Sequence, residues 1–451
     1  MSKKSIDLQS VLDEGKFGAL RIFVFAVCFL ILLLDGYDVQ ALGAIAPAVM
    51  RDLQLSPKEF GLVFGIGGAG VLMGAITFGT LGDMYGRKVL LLVCLAIFGG
   101  FSVCMATAIS GTELTIYRVL SSIGLGGAVP NVIALASEYT PKRMRASAVT
   151  ILWAALPTGG IVGSFASAWL TPAFGWRSVY IVGGLMPLVV AVVMILSMPE
   201  SVAFLAAKGQ AERVRAIIRR LRPELALSDE TDVNPIEHAK KHSAPIAKIF
   251  QDGRTFGTVT LWVLFFMSFF SILTIVAWST NLVASAGYTQ PQASGVLGWF
   301  NFGSLVASVT VGALIDRFGA TRILPIYFVA MSATIMGLGF TLTGPYAVVA
   351  AAFVVAGFFA GGSNSGIMAL CALFYPATMR STGLGCSYGW GRVGAMSGPL
   401  IAGLIVAMKW EVTSFYIALG VPAAIAAFAT LFLTRSAKTA SVGSAEIIHP
   451  E

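Results

Sequence analysis

Four ionisable side chains stand where the chain is otherwise apolar: Asp35 and Asp38 within LLLDGYDVQ, Arg118 within IYRVLSS, and Arg392 within GWGRVGA. A carboxylate can take up and release a proton. A guanidinium stays charged at any relevant pH and matches a carboxylate with two parallel hydrogen bonds. At the centre of a membrane helix each such charge costs about 2.5–3.5 kcal/mol, so the four would cost on the order of 10 kcal/mol if unpaired and facing lipid. They must therefore face a partner or a wet cavity. At 1.5 Å per residue, Asp35 and Arg118 both fall about 21 Å above the face on which the first run begins, and Arg392 about 18 Å. Desolvation favours a neutral carboxyl and a neighbouring guanidinium favours an ionised one, so Arg118 moving toward or away from Asp35 would switch a proton on and off. His238, His242 and His449 lie in the central segment and the tail, leaving carboxylates as the titratable groups of the apolar runs. We expect Asp35, Asp38 and Arg118 to couple protons and Arg392 to receive an anion. The competing readings are a structural Asp35–Arg118 pair, and Arg392 paired with Asp38 or capping carbonyls.

The elements that position these residues follow from composition. Of the 451 residues 57% are hydrophobic and 12% charged, with 50 glycines and a mean hydropathy of +0.83. A soluble domain is nearer a quarter charged, and a helix crossing the hydrocarbon core needs about 20 apolar residues. Twelve such runs occur, near 21–46, 59–82, 88–108, 112–137, 144–170, 176–198, 258–283, 292–314, 321–342, 346–371, 380–408 and 411–433. The expected fold is an all-α membrane protein of two pseudo-symmetric six-helix bundles. Its bounds are an N-terminal tail 1–20, a bundle 21–198, a linker 199–256 with an amphipathic helix, a bundle 257–434 and a C-terminal tail 435–451. If both termini are cytoplasmic, 24 of the 30 Lys and Arg fall in cytoplasmic segments. This is the positive-inside signature of a multi-pass protein of the bacterial inner membrane. The net charge of +8 then marks orientation, and no nucleic-acid partner is expected. The first run is too long for a cleavable signal and should act as an uncleaved anchor. Ser201 to Arg222 reads as an amphipathic helix lying on anionic membrane lipid or as a solvated connector. The tails look mobile and uninformative.

The halves repeat. Gly79, Asp83 and Gly86 recur 233 positions later as Gly312, Asp316 and Gly319. Gly126, Gly127, Ala134, Leu135, Pro141, Met144 and Arg145 recur at an offset of 235 as Gly361, Gly362, Ala369, Leu370, Pro376, Met379 and Arg380. Parallel halves related about the membrane normal are a transporter architecture. Glycine runs at 67–70 and 159–163 allow helices to approach closely. Cys28, Cys94, Cys104, Cys371 and Cys386 all fall in the runs and give neither a disulfide framework nor a zinc spacing. With no Walker motif, metal-ligand cluster or nucleophilic triad, no catalytic residue, cofactor or metal is expected, and the chain is not read as an enzyme.

The loop Gly79-x-x-x-Asp83-x-x-Gly86-Arg87-Lys88, its degenerate copy at 312–319 and Pro199-Glu200-Ser201 resemble the major facilitator superfamily. A narrower likeness, to the aromatic acid:proton symporter family, rests on Asp35-Gly36-Tyr37-Asp38, on Arg118 with Gly124 to Asn131, and on Gly389 to Pro399. Ser122 departs from that pattern, which usually has another glycine. The resemblance implies uptake of compounds such as 4-hydroxybenzoate, protocatechuate or benzoate with protons. It places functional residues at Asp35, Asp38, Asp83, Arg118, Glu138, Arg380 and Arg392.

Around Arg392, an aromatic substrate would need flat walls and polar groups for ring hydroxyls. Tyr37, Trp278, Asn301 and Asn364 are the chosen candidates, with Trp153, Trp299, Phe300, Phe359, Trp390 and Ser363 also available. Asp83, Arg87, Lys88, Glu138, Arg145, Asp316, Arg317 and Arg380 cluster at the cytoplasmic ends of the runs and are expected to gate. Asp83 would latch onto the start of the eleventh run and Glu138 onto nearby arginines. The expected function is a monomeric, proton-coupled importer of a small aromatic carboxylate working by alternating access. Its alternatives are a carrier of another organic acid or an efflux antiporter. The latter usually shows Gly-Pro-x-x-Gly-Gly in the fifth run, and Leu156-Pro157-Thr158-Gly159-Gly160 lacks its first glycine. A membrane receptor would need a signalling domain larger than the 58-residue central segment.

Overall fold

The computed structural model describes residues 5–15, 17–222, 232–234, 246–251, 253–376 and 379–445. Twelve helices among them are long and apolar enough to cross a membrane, matching the twelve runs one for one. They are α2 (Ala19–Ala44), α4 (Pro57–Tyr85), α5 (Arg87–Met105), α6 (Gly111–Tyr139), α7 (Arg145–Phe174), α8 (Trp176–Ser197), α11 (Thr255–Ser285), α12 (Gln290–Phe318), α13 (Ala320–Thr341), α14 (Tyr346–Phe374), α15 (Arg380–Ala407) and α16 (Val412–Ala445). Short helices α1 (Leu8–Asp13), α3 (Ala46–Asp52), α9 (Val202–Ala207) and α10 (Ala211–Leu221) lie between or before them. Among the described residues, the departure from an all-α chain is a two-stranded parallel pairing of β1 (Ser5–Asp7) with β2 (Asp232–Asn234), outside the spans.

Local chemistry sets the helix starts. Ser56 and Glu59 cap each other at α4, as do Thr289 and Gln292 at α12. Ser110 accepts from Glu113 N at α6, and Glu113 reaches back to Ile109 N. Each such box satisfies amides that have no intrahelical partner. Gly86 and Gly319 begin α5 and α13 at φ +96° and +84°, a backbone region where a side chain is strained. These are the two copies of the loop motif, so the sequence repeat has a conformational counterpart.

The repeat extends to packing. An added Cβ at Gly70 would meet the Val119 carbonyl at 2.5 Å, and one at Gly303 would overlap the Val354 carbonyl. Gly126 packs on Val71 and Gly361 on Ser304; Gly127 touches Cys94 and Gly362 touches Tyr327. Each second contact is the first shifted by the offsets found in the sequence. Glycine is required at these crossings because the neighbour is backbone or a buried side chain with no room to retreat.

The chain divides into two compact units: Met1–Val39, Ala69–Gly159 and Trp176–Lys241 form one, and Gln40–Gly68, Gly160–Gly175 and His242–Glu451 the other. In the first, Gly36 packs on Leu156 and Gly159 on Leu33, crossing α2 over α7. The 201–222 segment is two helices, broken at Gly209 with φ +70°. Its apolar face is covered by protein: Val202, Leu205, Val214, Ile217 and Ile218 share a core with Leu8, Val11 and Leu12 of α1 and with Leu135 and Tyr139 of α6. This replaces the expectation of a helix resting on lipid. Within the N-terminal tail, expected to be mobile, Leu8–Asp13 form α1, and the buried Arg21 Nη2 donates to the carbonyls of Leu12 (3.1 Å) and Glu14 (3.0 Å) at its end.

In the second unit the far end of α2, with α3, the start of α4 and the end of α7, packs on α11, α12 and α15. Gly43 lies on Val276, Gly61 on Pro399 and Gly160 on Asn301. The close crossings predict that G70V and G303V each lose folded, monodisperse protein. Overpacking of this kind costs about 1–3 kcal/mol and should lower the thermal midpoint in detergent. G312V, where an added Cβ meets nothing within 4 Å, should leave the midpoint unchanged.

Candidate functional site

The charged centre of the first unit is built by α2 and α6. Asp35, Asp38 and Arg118 are all buried, at 6%, 4% and 6% exposure. Arg118 Nη1 forms an ion pair with Asp38 Oδ2. The expected Arg118 partner was Asp35; the structure gives the guanidinium to Asp38 instead, with Asp35 acting on it from one turn earlier in α2. Arg118 Nε is buried and makes no hydrogen bond, so the guanidinium has donor capacity beyond the Asp38 pair. Tyr180, which sequence reasoning did not select, is buried near this guanidinium with an unpartnered hydroxyl. A tyrosine in an apolar helix carries no sequence signal of that role.

Tyr37 points elsewhere. Its hydroxyl donates to the Val179 carbonyl of α8 (3.0 Å) and its ring lies against Gly183. It anchors α2 on α8 and presents no face to a ligand.

In the second unit, Arg392 lies on α15 with Nη2 donating to the Tyr388 hydroxyl (2.8 Å) and its guanidinium carbon 5.0 Å from the centre of that ring. No carboxylate among the described residues lies within ion-pair distance of Arg392. Tyr388 is itself packed edge-on to Phe269 of α11, 5.4 Å between ring centres. Tyr388 was not among the expected residues, although its i, i+4 spacing from Arg392 is the spacing at which helix side chains meet.

Asn364 on α14 keeps a buried Oδ1 with no partner, as does the adjacent Ser363 Oγ. An unmet buried acceptor costs about 1–3 kcal/mol, which a ligand or water hydroxyl would relieve. Two other candidates are already committed to the protein. Asn301 donates to the Leu297 carbonyl (2.7 Å) and accepts from Gln40 (3.2 Å). Trp278 is fully buried, donates to the Pro399 carbonyl (3.1 Å) and stands edge-on to Phe60. Both hold helices together through these contacts.

The expected gate residues separate into two sets. In the first unit Arg87 pairs with Glu138 (3.1 Å), and Glu138 also accepts from Ser201 Oγ (2.7 Å) and Ala203 N (2.8 Å). Lys88 N donates to Glu200 Oε1 (2.9 Å), Lys88 Nζ to the Ile195 carbonyl (3.2 Å), and Tyr139 to the Glu200 carbonyl (2.7 Å). Arg145 pairs with Asp13 (2.7 Å) and donates to the Ser137 carbonyl (3.0 Å). Glu138 thus binds Arg87 at the start of α5 together with the segment after α8. In the second unit Asp316, Arg317 and Arg380 are exposed, and Arg317 stacks over Phe318. The Asp83 side chain lies outside the described residues. No cluster of metal-ligating side chains occurs among those described.

The Asp38–Arg118 pair predicts strong coupling between its members. D38N and R118L should each lower the detergent unfolding midpoint, since removing one partner of a buried pair leaves the other charge uncompensated. The double variant should be less destabilised than the sum, by about 1–3 kcal/mol in a thermal or denaturant double-mutant cycle. Additive effects would contradict the pairing.

The chain is similar throughout its length to known carriers. The family profile described as Major Facilitator Superfamily matches residues 28–297 and 261–447. The gallate transporter of Pseudomonas putida is 35% identical, covering 94% of both chains. The 4-hydroxybenzoate transporter PcaK of Acinetobacter baylyi is 33% identical over 95% of this chain and 94% of its own. The benzoate transport protein of the same organism is 30% identical over 95% and 93%. Among solved structures, a bacterial homologue of the lysosomal transporter Spinster superposes with a TM-score of 0.71 at 16% identity, over 93% of this chain and 98% of that one. The xylose transporter XylE from E. coli, in an inward open conformation, does so with 0.71 at 17% identity, over 90% and 95%. The duplicated glycine crossings, the paired loop motifs and these matches lead to one assignment: the chain is a multi-pass membrane transporter, not an enzyme, and belongs to the major facilitator superfamily.

Proposed function

We propose that the protein is a proton-coupled carrier that imports a small aromatic carboxylate across the bacterial inner membrane by alternating access, as a monomer with both termini in the cytoplasm. The observation that carries the proton part is the buried ion pair of Arg118 with Asp38, together with a second buried carboxylate, Asp35, one turn away. One guanidinium serves two carboxylates, so the carboxylate it leaves is the one favoured to bind a proton. Moving Arg118 between them couples protonation to helix movement. The relatives that transport gallate, 4-hydroxybenzoate and benzoate support the substrate class.

Arg392 is the anion receptor of this reading. It has no carboxylate partner among the described residues, and Tyr388 fixes one of its terminal nitrogens while the rest of the fork is left for substrate. The unmet Asn364 Oδ1 is suited to a ring hydroxyl. Asp35, Asp38 and Arg118 perform the coupling. Arg87, Lys88, Glu138 and Arg145 brace the cytoplasmic end of the first half, with Asp83, Asp316, Arg317 and Arg380 completing the gate as the halves rock.

The reading is tested by expressing the protein in a bacterium lacking aromatic-acid uptake and offering labelled benzoate, hydroxybenzoates, dihydroxybenzoates and aliphatic dicarboxylates. Accumulation of the aromatic acids, abolished by collapsing the pH gradient, is expected. Accumulation confined to dicarboxylates would reject the substrate class. D35N should lose gradient-driven accumulation while retaining exchange of internal for external substrate. Undiminished accumulation by D35N would remove Asp35 from coupling. R392K keeps the charge but loses the fork, and should raise the apparent KM about tenfold, the loss of roughly one charge-assisted hydrogen bond. An unchanged KM would remove the two-point contact.

A further inference from the structure

A second place in the molecule presents an uncommitted cation beside an unmet hydroxyl. In the second unit the ends of α3 and α7 meet the end of α11 and the start of α12 around a cavity of about 450 Å³. Its walls include Ala48, Arg51, Thr171, Pro172, Tyr288 and Gln290. Arg51 is exposed and forms no ion pair among the described residues. Thr171 is 9% exposed, and its hydroxyl is buried with no hydrogen-bond partner. The other polar groups turn into the protein. Tyr288 donates to the carbonyls of Leu342 and Gly344, and the Gln290 amide donates to the Ala44 carbonyl (3.4 Å) and Ser294 (3.2 Å). What remains at the cavity is the exposed Arg51 guanidinium, in a lining shared with Thr171, whose unpartnered hydroxyl is buried, and with Ala48, Pro172 and Ala284. The volume falls within the range of small-molecule sites. A small carboxylate fits this set, since the guanidinium fork can hold its two oxygens.

We propose that this cavity is a second carboxylate site, separate from Arg392, and that its occupancy holds the outer ends of the helices together. The inference rests on the carrier reading, in which these ends face the periplasm and must part for substrate to enter. Arg51 and Thr171 belong to the first half of the chain, and Tyr288 and Gln290 to the second. A ligand gripping both sets binds the closed outer end and not the parted one, so it shifts the population toward closure. At high external concentration the substrate therefore slows its own uptake.

The test uses 4-hydroxybenzoate as probe. In right-side-out vesicles with an imposed pH gradient, the wild-type initial rate should rise with external concentration and then fall. R51Q should shift the falling limb to about tenfold higher concentration, the loss of one charge-assisted contact, and leave the rising limb unchanged. T171V should shift it in the same direction. Superimposable wild-type and R51Q curves, falling or flat, would overturn the proposal. So would an equal fall produced by sodium sulfate at matched ionic strength, which would mean a site for any anion. Calorimetric titration separates the two sites. Purified R392Q should retain weak binding that R392Q/R51Q loses. Absence of binding to R392Q, with normal binding to R51Q, would overturn the outer site and leave the carrier reading standing. A wild type that neither binds nor transports 4-hydroxybenzoate would overturn both.

Discussion

A charge inside hydrocarbon is tolerated only when another group answers it, and the first unit is organised around one such answer. Asp38 and Arg118 are 80 positions apart in sequence, on α2 and α6. They meet only if α2 has a fixed rotation. Successive residues of a helix project about 100° apart, so anchoring Tyr37 to the Val179 carbonyl of α8 turns Asp38 toward α6. Gly36 and Gly159 then let α2 and α7 close to backbone contact. The aromatic side chain expected to line a substrate site is instead what aims the neighbouring carboxylate.

At the basic end, the two copies of one loop motif have diverged in use. The first copy is knitted into a network in which Arg87, Glu138, Ser201 and Glu200 join α5, α6 and the loop after α8. The second copy presents Asp316 and Arg317 to solvent. Duplication kept the backbone device, a positive-φ glycine between two helices, and left the charges free to differ. A network with several charge-assisted hydrogen bonds is stronger than isolated surface pairs, which are worth about 0–1 kcal/mol each. The first copy is therefore the firmer of the two.

The fold was legible because its cause is written in one dimension. Span length follows bilayer thickness, and the glycine crossings repeat in register with the offsets of 233 and 235. The burial of Asp35, Asp38 and Arg118 was legible too, from the cost of leaving them in lipid. Partner choice was not. Depth along the helices put Asp35 level with Arg118, but rotation about the α2 axis gave the pair to Asp38. The same limit explains Trp278 and Asn301, whose types suit a ligand but whose neighbours, Pro399 and Gln40, take their polar groups. Amphipathicity in 201–222 announced a buried face without saying what buries it, and α1 had to be seen to supply the answer.

The seating of α1 has a consequence for how the chain is made. Leu8, Val11 and Leu12 share a core with Val214, Ile217 and Ile218. Residues 8–12 therefore cannot settle until six membrane helices have been inserted and the stretch after them has been translated. Arg21 must wait as well, since its carbonyl acceptors at Leu12 and Glu14 are placed by that late docking. Closing so long a loop delays the final contacts of the first half. It also sets a natural checkpoint in biogenesis: the first half seals itself as the second begins to emerge.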